Sequence, residues 1–182
     1  HNVETALAAS AAALACGVDA DDVRAGLLAF APLEHRIEPC GQARGIRFVN
    51  DSKATNTDAV SKALTAFAPG SVLILLGGHD KGTELDDMAS DVAVSARVAV
   101  CFGEAGERIA QALEAQGSAL EVIRAEHMEQ ALDAAIAQAR PGDVVLLSPA
   151  CSSFDEFSGY EERGRVFKDL VAQCIKAMEE RQ

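Results

Sequence analysis

Residues 71–102 read SVLILLGGHDKGTELDDMASDVAVSARVAVCF, and this stretch decides the fold class. Residues 71–76, which are apolar from Val72 onward, predict a buried strand that is followed by a glycine turn. A short helix is predicted over 88–93 and a second apolar strand over 98–102. Strands that are apolar throughout are typical of a parallel sheet, because helices cover both of its faces. The stretch therefore predicts one strand–helix–strand unit of a doubly wound sheet.

The same alternation extends to both sides of this unit. A short hairpin is predicted from strands 36–40 and 46–50, joined by a turn over 41–45. The pattern also predicts strands over 120–123 and 144–147 and helices over 58–67, 107–115, 128–139 and 161–179. The predicted fold class is therefore α/β, with a doubly wound and mostly parallel sheet.

Two alanine-rich helices precede the sheet. The first is predicted over 3–16, and the second runs to about Phe30 from a cap at Asp19 or Asp21. Pro32 ends the second helix, and after it the pattern changes from alanine-rich helices to alternating strands and helices. We therefore place a domain boundary at Pro32.

Composition excludes several classes of partner. The chain has 16 Lys and Arg residues against 28 Asp and Glu, a net charge of −12, with 4% aromatic residues and no Trp. Such a chain repels polyanions unless its basic residues are clustered, and it has few rings on which bases stack. We therefore expect neither a nucleic acid nor an anionic membrane as partner.

The cysteines indicate a reducing compartment. All five are widely spaced and form no CxxC motif, so we expect neither a disulfide framework nor a zinc site. The longest apolar run, over 72–76, has the length of a strand and not of a membrane span. We expect a soluble, cytoplasmic protein. The chain opens His1-Asn2-Val3 without Met, which we interpret as a fragment of a longer protein.

Functional residues are expected where strands end, since doubly wound sheets bind ligands at the carboxyl ends of their strands. After the strand ending at Asn50, Asp51 can accept hydrogen bonds from ribose hydroxyls, and Lys53 can neutralise a phosphate or a carboxylate. The alternative is a capped turn, with Asn56 or Thr57 as the N-cap of the next helix.

Two more strand ends carry polar groups. The glycines of GGHDKG at 77–82 let the backbone approach a ligand and Lys81 offers a cation, although glycine turns after strands are common. SPACSSFDEF at 148–157 offers hydroxyls for a carboxylate. His79 is interpreted as a solvated loop residue, and Cys151 as a thiol without a basic partner. Together the three ends predict a pocket for a small dianionic ligand, alone or beside a nucleotide.

Four motifs carry a resemblance to a known family: LEHR at 33–36, NDSKATN at 50–56, GGHDKG at 77–82 and SPACSSFDEFSGYEERG at 148–164. Through them the chain resembles the C-terminal part of the Mur ligases over essentially all of its 182 residues, and among them the branch that adds D-glutamate. The resemblance implies that residues 1–32 are the tail of a central ATPase domain. It implies that residues 33–182 are a C-terminal, Rossmann-like domain that binds D-glutamate.

The activity that the resemblance implies is ATP-dependent amide formation in peptidoglycan precursor synthesis. ATP phosphorylates the alanine carboxylate of UDP-N-acetylmuramoyl-L-alanine, and the amine of D-glutamate attacks the resulting acyl phosphate. The phosphate loop, the Mg²⁺ ligands and the modified lysine of the family belong to a preceding part that this sequence does not include. The chain alone is therefore expected to be inactive, and the enzyme is expected to be a monomer.

The resemblance also assigns residues, motif by motif. Thr5 stands where the family usually has a second asparagine for adenine, and Tyr160 stands where phenylalanine is also common. No metal ligand is implied within this chain. The implied site residues are catalytic Lys53 and Arg36; ATP-binding Asn2, His35, Arg36 and Asp51; and D-glutamate-binding Thr55, Lys81, Ser153, Phe154 and Tyr160.

Two alternatives accompany this interpretation. Another Mur ligase or a relative of folylpolyglutamate synthase shares the architecture, but the SPACSSFDEF string favours the D-glutamate branch. The other alternative is a non-catalytic Rossmann-like module that binds an acidic metabolite. An upstream GxxGK[ST] region in the open reading frame separates the ligases from such a module.

Overall fold

The computed structural model of the protein describes residues 2–30 and 33–180, and for Asn2 it describes the backbone only. The chain divides into two compact units, His1–Leu33 and Glu34–Gln182. The division falls close to the predicted boundary, although Pro32 itself lies outside the described residues. That the first unit belongs to an ATPase domain stays a prediction.

The first unit is a pair of helices, α1 (Asn2–Ala15) and α2 (Ala20–Ala29). Of the two predicted caps Asp19 is the one used, since its side chain accepts a hydrogen bond from the N–H of Asp21 at 2.8 Å. No residue of α2 is buried within the chain. Apolar side chains of this helix are therefore exposed, and Leu28 is 80% exposed.

The second unit alternates strands and helices: β1 (Glu38–Ala43), β2 (Ile46–Asn50), α3 (Thr57–Leu64), β3 (Val72–Gly77), α4 (Asp86–Ser95), β4 (Ala96–Phe102), α5 (Gly106–Glu114), β5 (Glu121–Arg124), α6 (Met128–Gln138), β6 (Val144–Ala150) and α7 (Tyr160–Glu179). The strands form a six-stranded sheet in the order β1-β2-β6-β3-β4-β5. β1 is antiparallel to β2, and every other neighbouring pair is parallel. The predicted doubly wound, mostly parallel α/β fold is confirmed.

Helices cover both faces of the sheet, which explains the uninterrupted apolar strands. Within β3, Ile74 and Leu76 pack in the cluster that includes α3, α4 and α5, whereas Leu73 and Leu75 pack in the cluster that includes α6 and α7. All four side chains are fully buried. Both faces of one strand therefore contribute to a core. Among the helices that the described residues form, none combines the length and the apolar character needed to cross a membrane.

The predicted hairpin is present, but the predicted turn over 41–45 is wrong. β1 continues to Ala43, and the turn consists of Arg44 and Gly45 alone, with φ of 49° and 76°. Two-residue hairpin turns of this kind need a left-handed backbone at both positions, which Gly45 adopts at no steric cost. At the other end, β1 begins only after Ile37, whose φ of 45° is not extended backbone.

Candidate functional site

Three of the predicted functional segments meet at one edge of the sheet. β6 lies between β2 and β3 and is parallel to both of them. The carboxyl ends of these strands are therefore adjacent. We call this region the carboxyl edge, and it consists of residues 50–57, 77–83 and 148–157. Ligands of doubly wound sheets bind at such an edge.

Asp51 directly follows β2 and is buried at the carboxyl edge, with 4% of its surface exposed. Its Oδ1 accepts a hydrogen bond from the N–H of Ile37 at 3.1 Å, and its Oδ2 accepts one from the hydroxyl of Ser148 at 2.8 Å. Burial raises the pKa of Asp51 to about 6, although these two bonds and the charge of Arg36 oppose the shift. The carboxylate therefore ties the end of β2 to β6 and to the segment before β1.

His35 is buried and has a left-handed backbone with φ of 64°. The side-chain nitrogen of Asn50 lies 3.0 Å from His35 Nδ1 and 3.0 Å from Glu38 Oε2. Oδ1 of Asn50 accepts a hydrogen bond from the N–H of Ser52, which identifies Nδ2 of Asn50 as the donor toward His35 and Glu38. His35 Nδ1 is therefore an acceptor, and the proton of the ring is assigned to Nε2. A Cβ on Gly164 would collide with the His35 ring, so α7 packs directly on it.

Glu34, His35 and Glu38 are the one set of His, Cys, Asp and Glu side chains in the described part of the chain whose ligand atoms are close enough for a metal ion. Lys168 already pairs with both carboxylates, with Nζ 2.5 Å from Glu34 Oε1 and 3.1 Å from Glu38 Oε1. Mg²⁺ needs oxygen ligands that can approach it in octahedral geometry. The set therefore does not fit Mg²⁺, and it joins α7 to the start of the second unit.

Tyr160 begins α7 and lies between two predicted site residues. The Nζ of Lys53 is 5.5 Å from the centroid of its ring, and the ring of His35 meets it edge-on with centroids 6.1 Å apart. The carbonyl of Tyr160 accepts a hydrogen bond from the hydroxyl of Ser52 at 2.8 Å. The N–H groups in the first turn of a helix have no acceptor within the helix, so this helix start favours an anion.

The loop after β3 carries Lys81. Its neighbour Asp80 accepts two hydrogen bonds from Arg108 of α5, from Nε at 2.8 Å and from Nη2 at 2.6 Å, and a third from the N–H of Gly82. Arg108 lowers the pKa of Asp80 to about 2. Lys81 itself is exposed and has no hydrogen-bond or ion-pair partner in the part of the chain that the structure describes. The bonds of Asp80 therefore fix the loop backbone next to Lys81, whose side chain has no partner among the described residues.

The turn after β6 contains buried polar atoms that lack partners. Ser152 and Ser153 are 6% and 1% exposed, and neither Oγ has a hydrogen-bond partner among the described residues. Glu156 Oε1 is a third such atom. Polar atoms in this state are costly unless a ligand or water completes them. Cys151 is also buried, and burial raises the pKa of its thiol to about 11, which disfavours a nucleophile.

Arg163 of α7 is the functional candidate that sequence reasoning missed. It is fully buried, and its guanidinium donates to the hydroxyl and carbonyl of Ser52 and to the carbonyls of Cys151 and Ser152. A fully buried arginine is rare. Its one signal in the sequence was its spacing of four residues from Phe167, which places it on the apolar face of α7.

The remaining predicted contact residues are separate from this buried network. Arg36, Lys81 and Phe154 are exposed and Thr55 is partly buried, and no hydrogen bond or ion pair among the described residues joins any of them to another. The side chain of Asn2 lies outside the described part of the chain, and Thr5 is in α1. The roles of all these residues toward ATP and D-glutamate stay predictions.

The fold and the groups at its carboxyl edge define a class: an α/β domain with an edge suited to a small anionic ligand. A family model described as "Mur ligase, glutamate ligase domain" matches residues 35–151. The chain belongs to the Mur ligase family, as its motifs predicted.

Within this family, the chain is similar in sequence to ligases that carry the name of one particular enzyme. The chain is 45% identical over 171 residues to a UDP-N-acetylmuramoylalanine–D-glutamate ligase of Acidobacterium capsulatum, covering 94% of this chain and 36% of that protein. A ligase of the same name from Pelotomaculum thermopropionicum is 43% identical over 176 residues, covering 97% of this chain and 38% of that protein. The chain therefore spans little more than a third of the length of these relatives.

A solved structure supports the fold independently. A UDP-N-acetylmuramate–alanine ligase from Thermotoga maritima superposes with a TM-score of 0.70 at 20% identity, and the match covers 96% of this chain and 38% of that chain. At this identity the likeness concerns the fold alone.

Proposed function

We propose that this chain is the C-terminal part of an ATP-dependent ligase that adds D-glutamate to UDP-N-acetylmuramoyl-L-alanine in peptidoglycan precursor synthesis. The observation that carries the proposal is the carboxyl edge, where neighbouring strand ends carry a lysine and two buried serine hydroxyls that have no partner among the described residues. The chain has a net charge of −12, so most of its surface repels an anion. An anionic ligand therefore needs local cations and hydrogen-bond donors such as those at the carboxyl edge. The names of the curated relatives support the choice of D-glutamate.

D-Glutamate presents two carboxylates, and the carboxyl edge offers separate groups for each. In this proposal Lys81 and Thr55 bind one carboxylate. The hydroxyl of Ser153, with the backbone N–H groups of Phe154 and Tyr160, binds the other. The free cation, the unsatisfied Oγ and the start of α7 support these assignments. This arrangement leaves the amine of D-glutamate free to attack the acyl phosphate.

The ATP side of the site is proposed around Tyr160 and its neighbours. Lys53 and Arg36 stabilise negative charge on the acyl phosphate and the departing phosphate. His35 and Asp51 hold the ribose side, with Asp51 acting largely through the two hydrogen bonds that fix the backbone around it. Asn2 is proposed to contact adenine.

Mg²⁺ is implied by this activity and neutralises phosphate charge when it is bound. We place its ligands in the part of the protein that precedes this chain, because Lys168 already pairs with the carboxylates of the one candidate set among the described residues. No step of the proposed reaction on this chain depends on a metal ligand of its own.

The two helices of the first unit are proposed to be the end of the preceding ATP-binding domain. Their exposed apolar residues support this, since Leu7, Leu27 and Leu28 are 66%, 48% and 80% exposed. A domain that completes this unit would bury them. The chain alone is then inactive, and the complete enzyme is proposed to act as a cytoplasmic monomer on small-molecule substrates.

Phosphate release by the complete ligase tests the proposal. We expect release from ATP and UDP-N-acetylmuramoyl-L-alanine to require D-glutamate, with L-glutamate, L-alanine and diaminopimelate as matched amino acids that do not substitute. Turnover with another amino acid would assign the chain to a different Mur ligase. An open reading frame without an upstream phosphate loop would instead favour a non-catalytic binding module.

A further inference from the structure

We propose that Arg163 is a positioning residue that fixes the Lys53 loop against the Ser153 turn. The inference rests on the proposed function, because it concerns how two parts of the D-glutamate ligase site are held at a fixed separation. Arg163 itself is fully buried and is not proposed to contact substrate.

The contacts of the guanidinium fall on two neighbouring strand ends. Nε donates to the Ser52 hydroxyl at 3.0 Å and Nη2 to the Ser52 carbonyl at 2.9 Å. Nη2 also donates to the Cys151 carbonyl at 3.0 Å, and Nη1 donates to the Ser152 carbonyl at 3.2 Å. Each segment is held at the residue directly before a proposed contact residue, Lys53 in one case and Ser153 in the other.

The third strand end packs on the same guanidinium. A Cβ on Gly78 would lie 3.0 Å from Nη1 of Arg163 and would collide with the Ser152 carbonyl. The N–H of His79 donates to that carbonyl at 2.9 Å. Arg163 therefore lies where the ends of β2, β6 and β3 converge, and it bonds the turns after β2 and β6 directly, in addition to the bond between Ser148 and Asp51.

The acceptors around Arg163 are neutral, which distinguishes it from an ordinary buried ion pair. Among the described residues no carboxylate lies within ion-pair distance of it, and Asp155 acts on it only through longer-range charge. Burial lowers the pKa of Arg163 to about 10, so the group remains cationic at neutral pH. Its charge therefore adds to the positive potential at the carboxyl edge, as an anionic substrate requires.

Arginine is the side chain that this geometry needs. Its planar fork serves several carbonyls at fixed angles, whereas a lysine in the same place keeps the charge but has a single nitrogen. Arg163→Lys therefore separates geometry from charge. Arg97 supplies the matched control, because it donates to the Gln138 carbonyl and pairs with Asp143 at the opposite, amino edge of the sheet.

The test measures steady-state constants and thermal unfolding of the complete ligase as wild type, Arg163→Lys and Arg97→Lys. We expect Arg163→Lys to raise KM for D-glutamate roughly 10-fold or more and to lower kcat, since displacement of reacting groups by about 1 Å is costly. Formation of the acyl phosphate without D-glutamate should also slow, because Lys53 lies on the same loop, but by less than kcat/KM for D-glutamate falls. Arg97→Lys should lower Tm without moving KM for D-glutamate by more than about twofold.

Two results would overturn the inference while leaving the proposed function intact: a D-glutamate KM in Arg163→Lys no higher than in Arg97→Lys, or an equal rise of KM for all three substrates. If Arg163→Lys does not fold, Ser52→Ala decides the question, because it removes one acceptor of Arg163 and should show the same pattern at smaller size. A wild-type enzyme without D-glutamate-dependent phosphate release would overturn the proposed function, and the inference with it.

Discussion

Arg97 at the amino edge of the sheet and Arg163 at the carboxyl edge are held by different kinds of partner. At the amino edge, Arg97 pairs with the Asp143 carboxylate at 2.5 Å, and Asp143 also accepts the N–H of Arg140. At the carboxyl edge, Arg163 bonds only a hydroxyl and backbone carbonyls. Asp143 neutralises Arg97, whereas no carboxylate of the described residues pairs with Arg163, unlike its neighbour Arg108, which pairs with Asp80.

The polar atoms without partners show the same asymmetry. The buried side-chain atoms that lack a hydrogen bond in the described parts of the chain, Ser152 Oγ, Ser153 Oγ and Glu156 Oε1, all belong to the turn at the carboxyl edge. Native structures rarely leave such atoms unsatisfied without a reason. We therefore infer that the amino edge is complete as a folded structure, while the carboxyl edge is suited to completion by a ligand.

The largest predicted effect is at Lys81. In the complete ligase, Lys81→Ala should reduce kcat/KM for D-glutamate by roughly 30- to 1000-fold, the loss of about 2–4 kcal/mol expected when a charged contact loses its partner. Acyl-phosphate formation should persist, and stability should not change, because Lys81 has no partner in the described chain. Lys62→Ala is the matched control, an exposed lysine that pairs with Asp58 on α3. Equal loss of both reaction steps in Lys81→Ala would contradict the assigned role.

A smaller effect, on stability, is predicted from the close packing of the carboxyl edge. Gly78 and Gly82 both have positive φ, of 127° and 66°, but only Gly78 has backbone atoms where a Cβ would lie. Gly82→Ala should cost about 1 kcal/mol through backbone strain alone. Gly78→Ala should cost about 3 kcal/mol or more, because the collision with Ser152 adds to the strain. Urea unfolding of the two variants measures this difference, and equal costs would show that the edge is not tightly packed.

The pH dependence of stability should reveal the buried carboxyl of Asp51. Its folded pKa of about 6 lies above its ordinary value of 3.8, so between these values the folded state binds more protons than the unfolded state. The contribution of Asp51 to stability therefore falls as pH rises from about 4 to about 6, by on the order of 2–3 kcal/mol. Asp51→Asn removes this dependence and should gain stability relative to wild type over that range. Parallel pH profiles for wild type and Asp51→Asn would refute a raised pKa of the buried Asp51 carboxyl.

The smallest predicted effects come from the two serines of the β6 turn. Neither Oγ has a partner among the described residues, so Ser152→Ala and Ser153→Ala should each leave the free energy of unfolding without ligand unchanged or slightly higher. Only Ser153→Ala is expected to raise KM for D-glutamate, by about 10-fold, which corresponds to one hydrogen bond to a charged group. A marked loss of stability in Ser153→Ala would mean that the hydroxyl serves the fold and not a ligand.

The fold was predictable because its signals are local. The apolar run of β3 lies between two cores. Asn56 is the N-cap of α3, and its side chain accepts a hydrogen bond from the N–H of Ala59 at 2.8 Å. The turn at Arg44 and Gly45 was not predictable to the residue, because Arg44 carries no preference for the left-handed backbone that it adopts.

The candidate site was predictable only in part. Its three segments follow from the rule that strand ends bind ligands, and the sheet order places them side by side. The supporting contacts depend on residues far apart in the chain, such as Ser52 and Arg163, or Asp80 and Arg108. In the sequence Arg163 stands in the run EERGR, where charged residues indicate a solvated helix face.

Hydrogen exchange of the complete ligase, with its UDP substrate and an unreactive ATP analogue bound, shows directly whether D-glutamate binds at the carboxyl edge. Addition of D-glutamate should slow amide exchange in residues 51–57, 77–83 and 150–156 together, and leave residues 140–143 at the amino edge unchanged. Protection at the amino edge, or at none of the three carboxyl-edge segments, would contradict binding of D-glutamate at the carboxyl edge.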